Sequence, residues 1–200
     1  MVAGVPRGAR VLPRSFYARD SREVAPELLG KLLVADGLVV RIVEVEAYAG
    51  AEDPGSHAYR GQTPRNRVMF GPAGHLYVYF TYGMHWCANA VCGADGWPTA
   101  VLLRAAAPVR GLGTMQDRRP AARRERDLLS GPAKLCSALA LDRAHDGADL
   151  VKGDRGVVLA DDGTPPPAAP VVTTRVGLSA GTEHPWRWYV PGDPNVSRPR

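Results

Sequence analysis

Residues 75–92, HLYVYFTYGMHWCANAVC, constrain the fold more than any other stretch of the chain. Tyr77 and Tyr79 fall on one side of a two-residue period, and Leu76, Val78 and Phe80 on the other, which is the pattern of a β-strand. The turn signal GPAG at 71–74 precedes the run and Gly83 interrupts it, so residues 75–82 and 85–92 are expected to form two arms of a hairpin. Phe80 and Trp86 fit a cross-strand aromatic core. Tyr82 and Met84 do not, because a hairpin tip cannot bury a large ring within its own fold. An exposed ring and a thioether beside a glycine suit insertion between stacked groups. Asn89 can present an amide to a bound ring, but only in one register against Tyr79; a one-residue slip turns it away.

A second alternating run, LVVRIVEVEAYA at 38–49, puts Val43, Val45 and Ala47 on one face and Ile42, Glu44, Glu46 and Tyr48 on the other. Before it, REVAPELLGKLL at 22–33 carries Ala25, Leu28, Leu29 and Leu32 at helical spacing, with Pro26 in the first turn. After the hairpin, Asp95-Gly96 marks a turn ahead of the strand TAVLLRA. MQDRRPAARRERDLL at 115–129 is a charged, exposed helix or loop, and SGPAKLCSALAL is a capped helix with Leu135, Ala138 and Leu139 inward. DGTPPPAAP is a loop; RVGLSAG and WRWYVPG close the chain as short strands. The expected architecture is one α+β domain over residues 14–200: a mixed, mostly antiparallel sheet, flanking helices and a protruding hairpin. Residues 1–13 read as a flexible basic leader.

Charge narrows the partners. The net charge is +5, and only Lys31, Lys134 and Lys152 of the 25 basic residues are lysine. Part of the arginine excess goes with a chain rich in Ala, Gly and Pro, and so with a bacterium of high genomic G+C. Guanidinium groups nevertheless suit phosphate, and a basic balance is consistent with a polyanionic partner. No apolar run approaches the ~18–20 residues of a membrane span. Cys87, Cys92 and Cys136 show neither CxxC spacing nor an even count, so no disulfide framework or zinc site is expected, and a reducing, cytoplasmic compartment fits. No nucleotide loop, metal motif or flavin signature points to a cofactor.

Two polar groups stand where pattern alone would not put them. Glu44, Glu46 and Tyr48 share one face of a regular strand; that face is either solvated or a place where neighbouring carboxylates and a ring tune one carboxylate to take a proton from water. The loop EDPGSHAYRGQTPRNRVMF collects His57, Arg60, Thr63, Arg65, Asn66 and Arg67 with no periodicity of its own.

Taken in order, VEVEAYAGAEDPGSHAYRGQTPRNRVMFGPAGHLYVYFTYGMHWCANAV, AVLLRA, LLSGPAKLCSALAL, TTRVGLSAG and WRWYV resemble the alkyladenine (3-methyladenine) DNA glycosylase family across residues 14 to 197. The resemblance implies that Glu46 is the general base that activates the attacking water, and that Arg104 and the carbonyl of Val176 help hold it. It implies a pocket in which Tyr48, His57 and Tyr79 sandwich a flipped base and Asn89 crowds the 2-amino group of guanine. Tyr82 would fill the gap left in the duplex, with Met84 beside it at the tip. Arg65, Arg67 and His85 are candidate phosphate contacts. The implied partner is double-stranded DNA with alkylated or deaminated purines, bound by a monomer at the bacterial nucleoid, with no metal and no cofactor. Neither Lys31 nor Lys134 adjoins the site in this pattern, which favours simple hydrolysis over Schiff-base chemistry. Two other readings remain: an inactive DNA-binding module of the same fold, and an enzyme acting on RNA or nucleosides.

Overall fold

The computed structural model describes residues 4–198. In chain order its regular elements are β1 (Arg10–Val11), α1 (Arg14–Tyr17), α2 (Ser21–Leu28), β2 (Leu32–Ala35), β3 (Leu38–Tyr48), β4 (His75–Thr81), β5 (His85–Cys92) and β6 (Thr99–Arg110). Then come α3 (Leu112–Arg118), α4 (Pro132–Leu139), β7 (Ala148–Asp149), β8 (Val157–Asp161), β9 (Val171–Thr173) and β10 (Arg187–Tyr189). The strands join in the order β1-β8-β2-β3-β6-β5-β4-β7, with β10 added to β3 and β9 to β10. Every described pairing is antiparallel, within the α+β class the sequence implies.

One face of the sheet carries the main core. Leu76 and Val78 of β4, Ala88 and Ala90 of β5, and Val101 and Leu103 of β6 meet Val24, Ala25 and Leu28 of α2 and Leu135, Ala138 and Leu139 of α4. Full burial of each large aliphatic side chain contributes about 1.5–3 kcal/mol, so this layer fixes the register of the hairpin. The opposite face of β4–β6 bears Tyr77, Val91 and Ala100, covered by Ala58 and Met69 from the 49–74 segment. The loop that carries His57 is thereby seated on the sheet.

Several expectations need correction. The first helix ends at Leu28, and Leu32 opens β2, because Gly30 turns the chain at φ 83°. Pro26 lies in the second turn of α2, where its missing amide weakens the helix shortly before it stops. Arg10 and Val11, part of the expected leader, pair with β8, and Leu12 is buried. α4 has no side-chain cap at Gly131. Met115 in the charged stretch is fully buried on α3. RVGLSAG is not a strand; its polar backbone is engaged by side chains of the site instead. Phe80 does meet Trp86 across the hairpin, the rings tilted by 48° with centroids 4.7 Å apart, but it is 44% exposed rather than in the core.

Candidate active site

β3 is the axis of the site. Its pairing with β6 shifts register between Ile42 and Glu44 and again between Glu44 and Val45. These bulges break the regular parity: Ile42 joins the main core together with Val45 and Ala47, while Glu44 and Glu46 are turned into the protein with no exposure at all. The solvated-face reading of the two glutamates is therefore excluded.

An ionised carboxylate in so dry a place must be fully hydrogen-bonded. Glu46 meets that demand through three elements. The hydroxyl of Tyr48 donates to its Oε2 at 3.0 Å, and the amide of Val176 donates to Oε1 at 2.8 Å. Nη1 of Arg104, on β6, lies 3.2 Å from Oε1. This Val176 contact is made by its N–H; its carbonyl is the group that the resemblance implies for holding the water. Burial works against the charge of Arg104, but Glu46 and Glu44 outweigh it and hold its pKa above the ordinary arginine value.

The walls above this floor are aromatic. Tyr48 is half-buried, and Arg175 stacks its guanidinium 4.7 Å from the ring centroid. Arg175 is itself locked to the fully buried Asp53 by paired contacts of 2.5 and 2.7 Å. Opposite, His57 meets Tyr79 edge-on at 4.5 Å, Tyr79 stacks on Tyr77 at 5.4 Å, and Nδ1 of His57 lies 3.2 Å from the Tyr77 hydroxyl. Burial pushes the phenol of Tyr77 up to about 12 and raises those of Tyr79 and Tyr48 as well, so the rings stay neutral. Burial, with Arg65 nearby, holds the His57 pKa below its usual value.

The register puts Asn89 opposite Tyr77 and Cys87 opposite Tyr79, so Asn89 does face the cleft; its Nδ2 donates to the Tyr77 carbonyl at 3.2 Å. Asn66, in the loop but outside the set expected at the site, is buried and donates to the His57 carbonyl at 2.8 Å. It also bonds Gly61 and Thr63, and so holds the loop's shape. Its mixture of burial and polarity could not be read from an aperiodic loop.

Tyr48, His57, Tyr77, Tyr79, Asn89, Arg104 and Val176 line one cleft of about 1270 Å³, which extends to the hairpin tip and to a second rim; Glu46 lies behind its partners Tyr48, Arg104 and Val176. Tyr82 is 81% and Met84 69% exposed at the tip, and His85 is exposed beside them. Arg65 donates to the Phe80 carbonyl at 3.0 Å and lies over Tyr79, so it braces the pocket wall. Arg67 is exposed on the same loop. The far rim is made by Arg118, Arg119, Arg124, Arg126 and Lys134, from the charged stretch with no assigned role and from the first turn of α4. Lys134 thus does adjoin the cleft, contrary to the pattern reading; α4 packs on β5 and β6, which brings its start there. Its Nζ bonds Ser130 Oγ at 3.2 Å. Among the described residues no group of three or more His, Cys, Asp or Glu is placed to hold a metal. No described helix is long and apolar enough to cross a membrane.

A buried carboxylate–guanidinium pair, aromatic walls and a basic rim thus meet at one cleft. The class is that of the DNA glycosylases, hydrolases of N-glycosyl bonds whose substrate is DNA. The family model described as methylpurine-DNA glycosylase matches residues 15–194, and the chain belongs to that family. A Burkholderia lata protein named "Putative 3-methyladenine DNA glycosylase" is 56% identical over 190 residues, covering 94% of this chain and 92% of the relative. Proteins of the same name from Burkholderia cenocepacia and Streptomyces avermitilis are 54% and 50% identical, covering 96% and 93% of this chain and 93% and 90% of their own lengths.

Proposed function

We propose that this enzyme excises alkylated and deaminated purines from duplex DNA by extruding the damaged nucleotide and directing a Glu46-activated water at its C1′ carbon. The observation that carries this reading is the carboxylate of Glu46. It is dry, accepts hydrogen bonds from Tyr48 and Val176, pairs with Arg104, and all three of these partners line the cleft.

A base inside the duplex shields C1′, so extrusion comes first, at a few kcal/mol. Tyr82, with Met84, enters the vacated stack and slows the return. The extruded ring lies between Tyr48 on one side and His57 and Tyr79 on the other. Substituents at the 2-position of the ring meet Asn89. A cationic 3-methyladenine or 7-methylguanine gains cation–π attraction from neutral phenols, and a neutral His57 adds no repulsion. Water then attacks C1′ and passes its proton to Glu46. The glycosidic electron pair leaves with the purine, and Arg104 and the Val176 carbonyl hold the water in line. Hypoxanthine and ethenoadenine, which lack the fixed positive charge of the alkylated bases, fit the slot and are expected to leave more slowly. Arg67, His85 and the 118–134 rim would hold backbone phosphates, whereas Arg65 acts chiefly by bracing Tyr79.

The test is single-turnover base release from duplexes carrying one modified purine, with wild type and Glu46→Gln in parallel. We expect release by wild type and a loss of about 10²–10⁴-fold in the variant, with duplex affinity retained. Equal release by both proteins would remove Glu46 from its role. A borohydride-trapped protein–DNA adduct would move the attack from water to Lys134, the lysine in the cleft.

A further inference from the structure

Glu44, two residues from Glu46, makes contacts that the chemistry above does not use. It is fully buried, and Arg104 Nε donates to its Oε1 at 2.7 Å and Arg187 Nε at 2.8 Å. The remaining partner comes from the far end of the chain. Ser197 donates its amide to Oε2 at 2.6 Å and its hydroxyl to Oε1 at 2.8 Å. The same hydroxyl accepts from Arg104 Nη2 at 3.2 Å, and the Ser197 carbonyl accepts from Arg187 Nη2 at 3.1 Å. Pro194, Val196 and Arg198 of this segment also line the cleft.

We infer that residues 194–198 form a latch, and that Glu44, Arg187 and Ser197 are positioning residues that set how Arg104 meets the base Glu46. The reasoning is geometric. A guanidinium has five donors in a rigid fork and will close on a carboxylate with two of them where it can. Here Nε is held by Glu44 and Nη2 by Ser197, which leaves Nη1 for a single contact of 3.2 Å with Glu46. The second carboxylate oxygen is left to Tyr48, and the base keeps a lone pair for water. The charges also balance: Glu44 and Glu46 face Arg104 and Arg187. Packing alone does not require this arrangement, since apolar residues fill such a space at no loss of stability.

With the latch removed, Arg104 is free to close on Glu46 and neutralise it. Ser197→Ala deletes the hydroxyl but keeps the amide; Ser197→Thr keeps both. The inference rests on Glu46 acting as base, so Glu46→Gln is run alongside. The expected result is single-turnover release slowed about tenfold in Ser197→Ala, the worth of one buried hydrogen bond, with duplex affinity unchanged. The acid limb of the pH–rate profile should move to lower pH, and Ser197→Thr should restore both. The groups facing Glu46 in that titration are Glu44 and Tyr48 on β3, Arg104 on β6, Arg187 on β10, and Tyr79 and Cys87 across the cleft. A Ser197→Ala protein that releases base at the wild-type rate and pH, while Glu46→Gln is inactive, overturns the latch alone. Slower release with a lowered melting temperature and an unmoved profile also overturns it, as a purely structural effect. Full release by Glu46→Gln would instead overturn the function proposed above.

Discussion

The middle of β3 and the tip of the β4–β5 hairpin follow opposite rules. At the middle, Glu44 and Glu46 are unexposed, and all four of their carboxylate oxygens accept hydrogen bonds. At the tip, Tyr82 is 81% exposed, and among the described residues its hydroxyl has no hydrogen-bond partner. Tyr82 and Gly83 hold φ of 51° and 65°, the positive signs a type I′ turn requires and for which Asn-Gly is the favoured pair. A tyrosine there costs roughly 1 kcal/mol or more. The buried carboxylates are fixed by surplus partners, whereas the exposed ring is kept free, even at a local loss of stability. Substitutions should therefore separate cleanly, with stability lost in the floor and DNA affinity lost at the tip.

The largest stability effect is expected at Arg175. Both it and Asp53 are fully buried as a bidentate pair. Arg175→Met leaves the Asp53 carboxylate buried without its counter-charge, held only by the amides of Ala49 and Gly55, a loss of about 3–5 kcal/mol. It also removes the cation stacked on Tyr48. Urea denaturation measures this directly; a change below 1 kcal/mol would mean that the floor is far less rigid than its contacts imply.

The tip should respond in the opposite sense. Tyr82→Asn puts the favoured residue into the turn and raises stability by a few tenths of a kcal/mol to about 1. The same change removes a ring whose stacking is worth about 1–3 kcal/mol, so affinity for lesion duplex should fall about 5- to 150-fold. Melting temperature and duplex titration on one preparation give both signs. If affinity is unchanged, the exposed ring is not a DNA contact and the contrast between tip and floor fails.

How much of this was legible depended on whether a residue's neighbours lie close in sequence. The hairpin and the exposure of Tyr82 followed from a two-residue period and a glycine, which are local. Tyr77, Tyr79, Cys87 and Asn89 share a face because the register is Thr81 to His85, and that single parameter suffices. Glu44 misled, because parity assumes a regular strand and the bulges are imposed by β6. Its partners Arg187 and Ser197 lie 143 and 153 residues away, beyond the reach of any spacing rule. β8 was missed for the same reason. GVVLAD is a short apolar run, and only its position between β1 and β2 makes it a central strand. The roles of Glu46, Arg104 and Val176 came from the ordered resemblance; the strand pattern alone favoured a solvated face.

The smallest expected effect tests whether the base of the hairpin belongs with the floor. Asp149 on β7 pairs with His75 at the start of β4. It accepts from Arg14 at 2.7 and 2.8 Å and from the amides of Val151 and Lys152 at 3.0 and 3.1 Å. Burial opposes its charge, but Arg14 and the two amides prevail and hold its carboxyl at about 2. A carboxyl lowered on folding stabilises the protein fully above its unfolded pKa of about 3.9, and that contribution disappears as pH falls through the folded value. Asp149→Asn should then cost on the order of 1 kcal/mol near neutral pH, since solvent around Arg14 screens part of the pairing. The gap between wild type and variant should shrink steadily as pH falls from about 4 to about 2. A gap that persists unchanged to the acid end would assign the loss to packing of the amide rather than to charge, and would place the hairpin's base outside the electrostatic design that governs β3.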